Sequence, residues 1–214
     1  VVIATLLGAP GARATASLTA LETRWLDAAE PVLAYADAQG LPLDIVVQPE
    51  TKNGESPIAM GYDGGRCKLV FTFRGNPEAD AMLNGVAPQH VNATIEAVVA
   101  HELGHCWRHT RGAWRSWAGA TAEPGPHREM QQTRGEEGFA DLVALAWTAQ
   151  RNPGQYAQVH AWLSQVRDHS GETAGTHHDT QPWIRLAQDR SAFRQTGTAF
   201  EQANAVWAAS AHPH

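Results

Sequence analysis

Cysteine is nearly absent from the 214 residues: Cys67 and Cys106 are the only two. That count is too small for a disulfide scaffold, and the pair lacks the close spacing of a cysteine zinc site; one disulfide between them is the most it allows. Long apolar runs are missing too, with no stretch near the roughly 20 residues that a membrane-crossing helix requires. Basic residues are outnumbered, 16 Lys and Arg against 22 Asp and Glu for a net charge of -6, and they are scattered along the chain. No positive stripe is available to neutralise nucleic-acid phosphates, which excludes nucleic acid as the expected partner. Internal repeats and low-complexity blocks are absent as well. What is there, 43% hydrophobic and 18% charged residues, describes a folded domain rather than a disordered chain. The length suits one domain, expected over residues 15–214.

The first 14 residues, "VVIATLLGAPGARA", are apolar and end in Ala12-Arg13-Ala14. That is the form of a signal-peptide tail with its small-residue cleavage site. Two expectations stand side by side. A signal remnant over 1–14 would make the protein periplasmic or secreted, where a disulfide between Cys67 and Cys106 persists. An ordinary packed N-terminal segment would leave it cytoplasmic.

Apolar residues at helical spacing from Ser17 to Gln39 predict a helix that stops at Gly40, with Pro31 kinking or dividing it. "LPLDIVVQP" predicts a buried strand, "IAMGY" a short one, and "CKLVFTFRG" a half-exposed strand in which Leu69, Phe71 and Phe73 share a face. A helix beginning between Pro88 and Thr94 runs to Gly112. A long connection over 112–133 follows, of a length that usually marks function or mobility. "EEGFADLVALAWTAQ" predicts the next helix, with Thr133 as N-cap and Glu136 completing a T-x-x-E capping box. Further helices follow over 155–167 and after a loop at 169–180. One helix, a few strands, then mostly helices is an α+β plan.

The chemistry lies in "HELGH" at 101–105. His101 and His105 stand one turn apart on one helix face, so both imidazoles can reach a single ion. Ile95, Val98, Val99, Leu103, Cys106 and Trp107 fill a neighbouring apolar arc, and Glu102 falls between that arc and the histidines. The alternative is an amphipathic helix with surface histidines, since a five-residue motif does occur by chance. Two histidines do not complete a catalytic zinc site, which usually has three protein ligands and an open position. His109 continues the spacing but lies about 12 Å along the helix from His101, too far to share the ion. Glu137 is the candidate, with Asp141 one turn on to accept a hydrogen bond from a ligand imidazole. An acidic helix N-terminus favoured by the macrodipole is the competing account of both carboxylates.

H-E-x-x-H at 101–105 followed by E-x-x-x-D at 137–141 resembles the gluzincin branch of zinc metallopeptidases. The likeness covers those two helices and, loosely, the strand order before them; metzincins are excluded because Arg108 and Arg111 stand where that pattern needs Gly and His. The resemblance implies a zincin-like fold, a small sheet followed by an active-site helix and a mostly helical C-terminal part. It implies Zn2+ held by His101, His105 and Glu137, with Glu102 as general base for a zinc-activated water and Asp141 orienting a ligand. It also implies a peptide or protein substrate, laid along an exposed strand edge for which residues 68–74 are the candidate. Gluzincins commonly supply a His or Tyr to the oxyanion; His178 is favoured over His177 because Asp179 and Thr180 flank it, with His127, Tyr62 and Tyr156 competing. Trp107, Trp114 and Trp117 either line a pocket or complete a core. Two other functions stay open: a catalytically inactive zincin-fold binding module, and a zinc amidase acting on a non-protein, cell-wall amide.

Overall fold

The computed structural model describes residues 17–51, 55–168, 175–194 and 196–210. The segment 1–14 expected as a signal remnant lies outside them. The chain forms a mixed α+β structure that divides into two compact units, one ending at Gly85 and one beginning at Val86. Among the described residues no helix is long and apolar enough to cross a membrane.

In the first unit, α1 spans Ala20–Ala38 behind a capping box in which Thr19 and Glu22 satisfy each other's backbone amides. It buries Trp25, Ala29, Val32 and Ala36 and continues through Pro31 without dividing. Three strands follow: β1 Leu43–Val47, β2 Ile58–Asp63 and β3 Arg66–Phe71. Their order is β1-β3-β2, with β3 parallel to β1 and antiparallel to β2. Cys67, Leu69 and Phe71 alternate on the buried face of β3 as expected. Two expectations are corrected. β3 is the central strand, hydrogen-bonded on both sides, so residues 68–71 cannot offer an edge to an extended peptide, and 72–74 lie beyond the strand. β1 is an edge strand, and only Ile45 in it is buried. A short helix, α2 Pro77–Ala81, closes the unit, capped by the Asn76 side chain.

The second unit is helical. α3 runs Val91–Thr110, α4 Pro126–Arg151, α5 Tyr156–Val166, α6 Gln181–Leu186 and α7 Ala199–Ser210. α4 starts eight residues earlier than the capping-box pattern predicts. Pro126 sets the first turn, a position where its missing N–H costs nothing. Thr133 is inside the helix, its hydroxyl donating to the Glu129 carbonyl at 3.0 Å, so it caps nothing. The connection is therefore 111–125, shorter than the expected 112–133.

α3 and α4 pack together through small side chains: Ala93 and Ala97 on α3 cluster with Ala144 on α4 and with Val159, all 0–2% exposed. Gly104, inside the HELGH stretch, lies at their closest approach. A Cβ there would sit 3.1 Å from the Ala140 Cα and 3.3 Å from Val143 Cγ2. Absence of a side chain at this position lets the two backbones come close enough for groups on α3 and α4 to meet.

Candidate metal centre

His101 and His105 project from α3 toward Glu137 on α4. Their Nε2 atoms are 3.2 Å apart, and the rings are nearly perpendicular at 88°. The Glu137 carboxylate faces both: Oε2 is 3.4 Å from His101 Nε2, and Oε1 is 3.5 Å from His105 Nε2. One ligand atom from each of the three lies within 4.8 Å of the others, and among the described residues this is the cluster of histidines and carboxylates able to hold a metal ion.

Behind it, the Asp141 Oδ1 accepts a hydrogen bond from His101 Nδ1 at 2.8 Å. With Nδ1 committed to Asp141, Nε2 is the ring nitrogen that faces the cluster. Asp141 is fully buried and also accepts from Arg167, at 3.1 and 3.2 Å, and from the Thr180 hydroxyl. Arg167 Nη2 reaches the Glu137 Oε2 at 3.5 Å. His178 Nε2 lies 3.7 Å from the same oxygen, with its side chain 45% exposed. His177 packs on the His178 ring at 4.0 Å between centroids.

Charge is tightly coupled here. Burial opposes charging His101, but the hydrogen bonds to Asp141 and Glu137 outweigh it and raise the ring to about 10. For His105 burial prevails over the attraction of Glu137 and lowers it to about 4. Burial would raise Asp141, yet Arg167, His101 and Thr180 hold it down to about 2. Glu137 likewise stays well below the usual carboxylate range, its burial offset by His101, His105 and Arg167. Burial and the Arg167 cation lower His178 to about 4. The centre is thus two ionised carboxylates against a charged His101 and a neutral His105; with the His101 Nε2 proton given up, as ligation requires, it has the donor chemistry that suits a borderline divalent cation.

The chain matches no family model, no curated protein and no solved structure.

His101, His105 and Glu137 come together as the sequence pattern predicts, and Asp141 holds His101. Glu102 is buried on α3 beside them, near enough to Arg167 to act on its charge. Of the competing oxyanion donors, Tyr156 is buried with its hydroxyl committed to the Ala187 carbonyl, and His127 pairs with Gln131 on the exposed start of α4. Tyr62 is exposed on β2. Thr180 does not cap α6 with its side chain but donates to Asp141. Glu136 has a structural role, as expected, but not in a capping box: it is fully buried and pairs with Arg108 at 2.8 and 2.9 Å. Neither Cys67 nor Cys106 is a free thiol, and both are buried. Trp107 belongs to a core stack with Phe139 and Phe200, and Trp117 packs on Trp183. Trp114 alone of the three lies at the centre, edge-on to His105 at 5.7 Å. Arg167 carries no sequence signal; a lone arginine ending an amphipathic helix looks like any helix C-terminus.

Proposed function

We propose that this chain is a zinc-dependent hydrolase of peptide bonds, of gluzincin type. One observation carries the reading: two imidazole nitrogens and a carboxylate oxygen from adjacent helices converge at 3.2, 3.4 and 3.5 Å. Ligands at 2.0–2.1 Å around a tetrahedral zinc stand roughly 3.3 Å from one another. The spacing therefore fits the group, and three protein ligands leave one position for solvent or substrate. When bound, zinc supplies a Lewis acid that polarises a carbonyl and makes water a usable nucleophile near neutral pH.

The chain's own residues supply the rest. Asp141 fixes the His101 tautomer and ring, and Arg167 and Thr180 fix Asp141. Glu102 lies beside the ligand pair without belonging to it. It takes the proton from the attacking water and delivers it to the departing amine, a role worth about 10²–10⁴ in rate. His178, at the open rim beyond Glu137, donates a ring N–H to the oxyanion that develops on the carbonyl.

The test is metal content and turnover measured together. Wild type is expected to retain about one zinc, Glu137→Ala to lose it, and Glu102→Gln to keep it while losing hydrolysis of protein and glycan-peptide substrates. Zinc retained by Glu137→Ala overturns the ligand assignment. Zinc bound with no turnover on any substrate replaces the hydrolase by a binding module, and turnover confined to the glycan-peptides moves the activity to a cell-wall amide.

A further inference from the structure

The two histidines are held in different ways. His101 Nδ1 has the Asp141 carboxylate. His105 Nδ1 is buried and has no hydrogen-bond partner among the described residues. What lies against the His105 ring is Trp114, edge-to-face at 5.7 Å and 76°. The same indole stacks on His109, one turn further along α3, at 5.3 Å and 23°.

Trp114 is not left to a wandering loop. Its two neighbours are tied to the buried Arg108–Glu136 pair: the Ala113 carbonyl accepts from Arg108 Nη2 at 2.7 Å, and the Arg115 N–H donates to Glu136 Oε1 at 2.8 Å. Arg108 Nη2 also reaches Ser116 Oγ at 3.1 Å. Arg115 is held at φ 53°, the one positive value outside glycine among the described residues. A non-glycine backbone in that region is strained, and such strain persists only where the surroundings impose it. Here they impose the direction in which Trp114 leaves the backbone.

We propose that Trp114 is a positioning residue for His105: its indole, aimed by the Arg108–Glu136 pair, does for His105 through ring packing what Asp141 does for His101 through a hydrogen bond. The inference rests on the metal site proposed above and adds to it. Hydrogen-bonding partners of metal ligands set affinity by about 10- to 100-fold. An aromatic contact is weaker, so about a tenfold effect is the upper expectation.

Cobalt(II), whose visible spectrum reports the arrangement of its ligands, is the probe. Wild type, Trp114→Phe and Trp114→Ala are titrated with Co2+, affinities are taken by chelator competition, and thermal melts confirm that each is folded. Trp114→Phe is expected to keep the wild-type spectrum with affinity within about twofold. Trp114→Ala is expected to bind about five- to tenfold more weakly with a displaced visible band, which loss of stability alone would not produce. A folded Trp114→Ala with unchanged spectrum and affinity overturns the role. Should wild type itself take up no cobalt, all three proteins fail alike, and the metal site falls together with the inference.

Discussion

Glu136 and Glu137 are neighbours on α4 and share a charge, yet the protein treats them in opposite ways. Glu136 is fully buried, and its two oxygens accept from Arg108 at 2.8 and 2.9 Å and from the Arg115 N–H at 2.8 Å. Arg108 lies in turn over the Trp207 ring at 4.1 Å. Glu137 is 14% exposed, and His101, His105, Arg167 and His178 stand 3.4–3.7 Å from its oxygens. Those distances are long for charge-assisted hydrogen bonds, which run about 2.7–2.9 Å. A carboxylate holding three short hydrogen bonds is a structural brace. One whose donors all stand at long range has room for something between them. The contrast separates the two roles better than burial does, since both side chains are largely inside.

The largest break in this contrast comes from removing each acid in turn. Glu136→Ala leaves the Arg108 guanidinium buried beside aromatic rings without its counter-charge. Loss of one partner of a buried pair costs about 3–5 kcal/mol, read as a lowered midpoint in chemical denaturation. Glu137→Ala strands no cation, because Arg167 keeps both hydrogen bonds to Asp141. Its stability is expected to stay within about 1 kcal/mol of wild type, while bound metal is lost. A stable Glu136→Ala would show that the buried pair braces nothing.

A smaller effect tests how the two helices bring the site together. Gly104→Ala places a methyl 3.1 Å from the Ala140 Cα, a backbone atom that yields only if α3 and α4 move apart. Such overpacking typically costs about 1–3 kcal/mol. The same movement carries His101 and His105 away from Glu137 and Asp141, so metal affinity is expected to fall with stability. If stability drops and affinity holds, the site does not depend on that close approach.

Much of the centre was legible because helical spacing is local. H-E-x-x-H puts His101 and His105 on one face at any crossing angle, and Glu137 and Asp141 are likewise one turn apart. The crossing partner was read from the spacing of Glu137 and Asp141 together with the resemblance, since no local rule fixes which helix crosses α3. Missed were Arg167, Thr180 and the aim of Trp114, each brought in by tertiary packing from loops or helix ends that carry no periodicity. The early start of α4 was hidden by a local rule that was satisfied in sequence and unused in space: Thr133 and Glu136 have capping-box spacing, but Pro126 had already begun the helix. Strand existence was readable from alternation in "CKLVFTFRG", whereas the middle position of β3 was not. Strand order depends on which edges find partners, and alternation says nothing of that.

The smallest effect expected is the most specific to Glu136. Its bond to residue 115 comes from the backbone N–H, so Arg115→Gly leaves that bond intact while removing the Cβ that strains φ 53°. Holding a residue with a side chain in the left-handed region costs roughly 1–2 kcal/mol. Glycine gives back about 0.4–1 kcal/mol through its greater freedom in the unfolded chain. The balance favours the variant by between nothing and about 1.5 kcal/mol, a rise of at most a few degrees in Tm. Trp114 should then sit against His105 as before, with metal affinity unchanged, because the hydrogen bonds that aim it all survive. A lower Tm would mean that the Arg115 side chain contributes more than its backbone strain costs, and that the brace at Glu136 extends to it.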